Sequence, residues 1–293
     1  MIRAILLHLS FNMWEEADVP GEIWRKATLT LRFDEKVWAE VVEALCAAQY
    51  NMIVLDLGDG IRYASHPEIA VAGAWTPDRL KQEANRLKSR GIELIPKLNF
   101  STCHDTWLGP WSRCVSTPAY YQVCQDLIAD VCELLHPRFF HLGMDEETAE
   151  HQRRYNYVVV RQNHLFWHDL NFLCGEVERH GARPWIWSDI FWHQPEAFAA
   201  HVSRKVLQSN WYYGTDFSDS CTAVAAYRKL DALGFDQIPT CSNHSHPENA
   251  RLTVEFVRRT LSPERLLGFL QTPWRPTTPE FRDRLLSAIS LLP

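Results

Sequence analysis

Eight times along the chain a short apolar run of strand length precedes a longer amphipathic stretch, and this repetition restricts the fold more than any other feature. The runs lie at 3–9, 51–57, 92–99, 138–143, 184–188, 205–210, 237–241 and 266–270. Helices are predicted at 34–48, 76–90, 118–135, 156–180, 195–201, 219–233, 248–260 and 279–290. Such an alternation marks βα units, in which each helix returns the chain to the same edge and leaves the strands parallel. Over 293 residues the units average about 37 residues each, which suits an α/β fold of the (β/α)8 TIM barrel type. An open doubly wound sheet uses the same units but carries a Gly-rich loop after its first strand, and none follows here. No Pro/Gly/Ser linker or low-complexity tract interrupts the pattern, so residues 1–293 are expected to form one barrel domain.

Local punctuation supports those boundaries. Thr76-Pro77, Thr117-Pro118, Ser262-Pro263 and Thr278-Pro279 each offer a capping hydroxyl followed by a proline whose missing N–H costs nothing at a helix start. Gly91, Gly181 and Gly234 follow helical stretches, where a left-handed residue ends a helix.

A formal charge of −6 argues against a nucleic-acid partner, which would call for a basic stripe. The eight cysteines include no Cys-x-x-Cys pair and read as mostly buried thiols. Neither a signal peptide nor a membrane span is visible, so a cytoplasmic protein without membrane contact is expected. No cofactor is called for, and the sequence is silent on oligomeric state. Twelve Trp, nine Tyr and fourteen Phe supply planar apolar surface beside polar groups, which favours a carbohydrate as ligand.

In a barrel of this kind the active site lies at the carboxyl ends of the strands. Those positions hold Asn12 and Trp14, Asp56 and Asp59, then Asn99, His104 and Trp107. Asp145, Glu146 and Glu147 follow strand 4, Trp187, Asp189 and Trp192 strand 5, and Trp211, Tyr212 and Tyr213 strand 6. The last two strands contribute Asn243, His244, His246, Trp274 and Arg275. The sharpest segment is His141-Leu142-Gly143-Met144-Asp145-Glu146. Neighbouring carboxylates repel, which keeps one protonated and fit to act as a general acid. On spacing alone, Asp145 could equally be a helix N-cap, with Glu146 and Glu147 answering the dipole of the first turn.

This segment resembles the strand-4 motif of glycoside hydrolase family 20, the β-N-acetylhexosaminidases, His-x-Gly-Gly-Asp-Glu, with Met144 in place of the second glycine. The resemblance extends upstream through Trp75-Thr76-Pro77, Arg90-Gly91-Ile92-Glu93-Leu94-Ile95-Pro96 and His104, covering roughly residues 50–147. It implies an exo-acting glycosidase in which Glu146 is the general acid/base and Asp145 orients the substrate's acetamido group. That group would itself attack the anomeric carbon, in substrate-assisted retaining hydrolysis. Trp187, Trp211 and Trp274 are the candidates for an indole box round the sugar, one or more of them serving only as packing. Asn12, Asp59, His104, His141, Asp189 and Tyr213 are further candidates for substrate binding.

The chain also departs from the family. The arginine usual after strand 1 is replaced by Leu9-Ser10-Phe11-Asn12, and the Trp-x-Glu after strand 8 by Trp274-Arg275-Pro276. Pro-Glu after strand 3 becomes Pro96-Lys97, and the α/β domain that usually precedes the barrel is missing from these residues. Two other readings stay open: a sugar-binding barrel without turnover, and a metal-dependent hydrolase using some of the thirteen histidines, for which His244-Ser245-His246 has ligand spacing.

Overall fold

The computed structural model describes residues 1–14 and 22–292. Eight parallel strands are present: β1 Ile2–His8, β2 Met52–Asp56, β3 Glu93–Lys97, β4 Phe139–His141, β5 Arg183–Trp187, β6 Leu207–Ser209, β7 Thr240–Ser242 and β8 Gly268–Thr272. They run in the order β6-β5-β4-β3-β2-β1-β8-β7. The remaining seam closes through backbone bonds from Ile238 to Gln208 and from Thr240 to Asn210, both 2.9 Å. The result is a (β/α)8 TIM barrel.

Strand alternation sorts the apolar residues into two cores. Ala4, Leu6, Met52, Val54, Ile95, Phe139, Trp185, Leu207, Ile238 and Leu270 point inward and fill the barrel. Their neighbours, including Ile5, Leu7, Ile53 and Leu55, point outward against the helices. The inward positions one step further along are polar. His8, Asp56, Lys97 and His141 pair in register across four strands and form a buried layer above the apolar plug. Lys97 is paired with Asp56, whose carboxylate also lies 3.6 Å from His8. The lysine that replaces the family's glutamate after strand 3 therefore has its countercharge on the neighbouring strand.

The main helices are α1 Glu35–Ala47, α2 Pro77–Ser89, α3 Pro118–Leu135, α4 His164–Arg179, α5 Ile190–His193, α6 Pro195–His201, α7 Thr222–Ala232, α8 Asn249–Thr260 and α9 Arg282–Leu291. Thr76 and Thr117 cap α2 and α3 through the N–H groups of Arg79 and Tyr120. Gly91, Gly181 and Gly234 take positive φ as expected. Two of the four hydroxyl–proline starts are corrected. Ser262-Pro263 opens a turn before β8, because Asp231 captures the Ser262 hydroxyl at 2.8 Å. Thr278-Pro279 opens a three-residue 3-10 turn without a side-chain cap, and α9 begins only at Arg282. The helix predicted from residue 156 starts at His164, since 156–163 form part of a loop anchored by Arg161. No cysteine is disulfide-bonded, and five of the eight are buried. Among the described residues no helix is long and apolar enough to cross a membrane.

Candidate active site

At the carboxyl ends of the strands a cavity of about 270 Å³ opens, walled by Met13, Trp14, Trp24, Arg25, Asn99, His104, Asp145, Glu146, His151, Trp187, Trp211, Tyr213, His244 and Trp274. Several of these continue the inward-facing parity of their strands: Asn99 beyond β3, Asp145 beyond β4, Trp187 at the end of β5, Trp211 and Tyr213 beyond β6, Trp274 beyond β8.

The segment after β4 turns sharply to present its carboxylates. Gly143, Met144 and Glu146 all have positive φ, at 72°, 70° and 55°. At Gly143 a Cβ would fall 2.0 Å from Asn99 Oδ1, so glycine is required there for space as well as for conformation. Met144 carries a full side chain in the left-handed region, at the position where the family has its second glycine. Asn99 holds the turn from the neighbouring strand, its Oδ1 accepting the Met144 N–H at 3.2 Å and its Nδ2 donating to Asp145 at 2.8 Å. No helix follows, which removes the N-cap reading of Asp145. Glu147 does not answer a helix dipole either; it forms a buried ion pair with Arg161 at 2.6 Å.

The two carboxyls are pushed in opposite directions. Burial drives Asp145 up, but His104, Lys97 and the Asn99 amide outweigh it and hold the group well below the usual carboxylate range. His104 Nδ1 lies 3.2 Å from Asp145 Oδ1. Burial lowers His104, while Cys103 and Asp145 raise it to a net value well above the ordinary one. Asp145 is the effective partner, because burial pushes the Cys103 thiol up to about 12 and leaves it neutral. Glu146 is raised by burial and by the Asp145 charge, against His104, His151 and Arg25. An ionised aspartate thus sits beside a glutamate whose proton affinity is raised.

Aromatic residues build the opposite wall. Trp187 and Trp274 lie 5.9 Å apart between centroids, and Trp211 stacks on Tyr213 at 5.1 Å. Tyr213 Oη accepts the Trp274 indole N–H at 3.0 Å and also lies 3.4 Å from Thr272 Oγ1, which itself donates to the Cys241 carbonyl at 3.0 Å.

Of the residues expected from sequence, Asp145, Glu146, His104, Trp187, Trp211, Tyr213 and Trp274 meet at this cavity. Four do not line it. His141 lies beneath Trp187, its Nδ1 accepting the Gly143 N–H at 3.1 Å, and burial followed by the Lys97 charge keeps it neutral. Asn12 and Asp59 bond to each other at 2.8 Å, and Asn12 fixes the loop after β1 through Thr28 at 2.8 Å. Asp189 lies behind the turn after β4, accepting the Glu146 N–H at 2.8 Å, and burial followed by Asp145 raises it to about 8. These four support the wall rather than form it.

Trp24, Arg25 and His151 were not legible as site residues. Arg25 lies 4.6 Å over the Trp14 ring and supplies from further along the β1 loop a guanidinium that the segment directly after β1 lacks. His244 also reaches the cavity, beside Arg275 at 3.3 Å. Cys103, His104 and Glu146 are the one group of three among the described residues close enough to consider for a metal. The thiol meets the ring at Nδ1, 3.5 Å away, and Glu146 at Nε2, also 3.5 Å. One donor atom from each of the three lies within 4.8 Å of the others, with the thiol kept protonated by burial.

Neither a family model nor a curated protein matches the sequence. Solved structures do match over 99% of the chain: the family 20 exo β-N-acetylglucosaminidase of Vibrio harveyi with TM-score 0.67 and 13% identity, and the chitobiase of Flavobacterium johnsoniae with 0.64 and 19%. Dispersin B matches over the same share, with TM-score 0.59 and 14% identity. The chain spans 54% and 48% of the first two and 98% of Dispersin B. The fold is thus that of the family 20 barrel, as the motif resemblance implied.

Proposed function

We propose that the protein is a glycoside hydrolase acting on terminal N-acetylhexosamine residues, with residues 1–293 as its catalytic barrel domain. The observation that carries this reading is the divergent pair at the cavity base, Asp145 held ionised by His104 and Asn99, and Glu146 raised beside it. Two neighbouring carboxyls with separated proton affinities are what substrate-assisted hydrolysis needs. Glu146 protonates the departing glycosidic oxygen. Asp145 accepts the acetamido N–H and offsets the positive charge as the acetamido oxygen closes on the anomeric carbon. Trp187, Trp211 and Trp274 enclose the N-acetyl group and the sugar face, and Arg25 lies within reach of ring hydroxyls. A cavity of about 270 Å³ is at the small end for ligand pockets and suits one terminal sugar, hence exo-action.

The test is inhibition by the thiazoline derived from N-acetylglucosamine, which imitates the cyclised intermediate. Competitive inhibition of aryl N-acetylglucosaminide hydrolysis supports the reading. Calorimetric binding of the sugar without turnover would instead favour a sugar-binding barrel, and the absence of both binding and turnover would refute a carbohydrate site.

A further inference from the structure

Glu146 is faced by two imidazoles, one on each carboxyl oxygen. His104 Nε2 lies 3.5 Å from Oε2, and His151 Nε2 lies 3.6 Å from Oε1. They are anchored differently. His104 is buried and committed through Nδ1 to Asp145. His151 stands at the mouth with its side chain 45% exposed, and its Nδ1 is 2.7 Å from Thr148 Oγ1. That hydroxyl oxygen also accepts the His151 backbone N–H at 3.3 Å. Its hydrogen is then free to donate to Nδ1, which leaves Nε2 as the nitrogen that presents hydrogen to Glu146.

The loop carrying His151 is held from below. Arg161, buried, bridges Glu147 and Asp169 at 2.6 Å each, and Gln152 Nε2 donates to Thr102 Oγ1 at 3.1 Å and to the Val159 carbonyl at 2.8 Å. His151 therefore faces Glu146 because of a built loop.

We propose that His151 is a positioning residue for Glu146, orienting its carboxyl from the pocket mouth and setting its proton affinity against the buried aspartate. The inference rests on Glu146 being the acid/base. Such a group must give up a proton in the first half of the reaction and recover one in the second, so neither form can be too stable. Asp145 and burial favour the protonated form. Asp189 contributes its acceptor oxygen to the Glu146 backbone, and the remaining facing groups are His104, Arg25, His151, the Cys103 thiol and the Tyr213 hydroxyl. His104 is tied to Asp145, whereas an imidazole at the mouth supports the carboxylate form and stays in contact with solvent.

The experiment follows the Glu146 carboxyl by carbon-13 NMR across pH in the unaltered protein, His151→Gln and Thr148→Val, with Glu146→Gln identifying the signal. The expected result is a Glu146 midpoint higher by about half a pH unit or more in His151→Gln, and a smaller upward shift in Thr148→Val. An unchanged midpoint in His151→Gln overturns the inference. This readout needs no turnover, so its outcome is separable from that of the proposed hydrolysis. In the active protein the alkaline limb of kcat/KM should move upward in His151→Gln; a lowered plateau with unmoved limbs would mark a merely structural residue and also overturn it.

Discussion

Asp189 Oδ2 accepts the backbone N–H of Glu146 at 2.8 Å, and this bond fastens Glu146 in its left-handed turn with φ at 55°. Replacing Asp189 by Ala removes the acceptor and frees the turn, so kcat should fall by about 10–100-fold, the scale of an ångström-level misplacement. Asp189→Asn keeps an acceptor oxygen and should retain most activity. The same residue makes a pH prediction. Its folded value of about 8 is above the ordinary value of about 4, so the folded protein holds a proton that the unfolded chain releases. Its contribution to stability is complete below about pH 4 and declines as pH rises towards 8. Asp189→Asn should flatten that decline; Tm measured from pH 4 to 8 for both proteins decides it.

Glu146→Gln keeps the shape of the side chain but has no proton to give. Cleavage of natural linkages, whose leaving alcohols are poor, should drop by about 10²–10⁴-fold, and aryl glycosides with acidic phenols should lose far less. Parallel kinetics on a disaccharide and a dinitrophenyl glycoside provide the check, and equal losses would remove Glu146 from the role of proton donor.

Asp145→Asn places an amide where an ionised acceptor is needed. A rate loss of about 10²–10³-fold is the scale for removing one preorganised electrostatic partner. A plain glucoside, which has a hydroxyl in place of the acetamido group, should not be turned over by the unaltered protein. Efficient cleavage of that glucoside would rule out participation by the substrate.

Asp56→Ala should destabilise the barrel by about 3–5 kcal/mol, because it leaves the fully buried Lys97 without its countercharge. Asp56→Leu combined with Lys97→Met should recover most of that loss. Urea unfolding of the three proteins measures both quantities.

The barrel was readable because its signal is repeated eight times and each strand needs only a short apolar run, so errors of a few residues at the ends changed nothing. The turn after β4 was readable for a different reason: Gly143 is required by a contact with Asn99, and after Met144 the two carboxyl residues Asp145 and Glu146 stand next to each other. Parity within the strands accounts for some of the expected residues that reached the cavity. Asn99, Asp145, Trp187 and Trp274 continue the inward-facing rows, whereas Asn12 and Asp59 turned to each other across a loop base. His141 has inward parity but sits one layer too deep. Arg25 and His151 were hidden because their places depend on pairings distant in sequence, Asn12 with Thr28 and Glu147 with Arg161, which leave no periodic trace. Ser262 misled because the capping signal is local, while Asp231, 31 positions away, claimed its hydroxyl.

Five of the residues lining the cavity are tryptophans: Trp14, Trp24, Trp187, Trp211 and Trp274. Indole emission responds to the polarity and charge of its surroundings, so an occupant changes the ultraviolet fluorescence of the whole molecule without any attached dye. Trp14 packs edge-on to His104 at 5.6 Å, which makes its emission sensitive to the protonation of the His104–Asp145 pair as well as to an occupant of the cavity. The wall that would grip a substrate is thereby an optical reporter of its own occupancy, and candidate glycans can be screened by titration into the unlabelled protein before any of them is known to be cleaved.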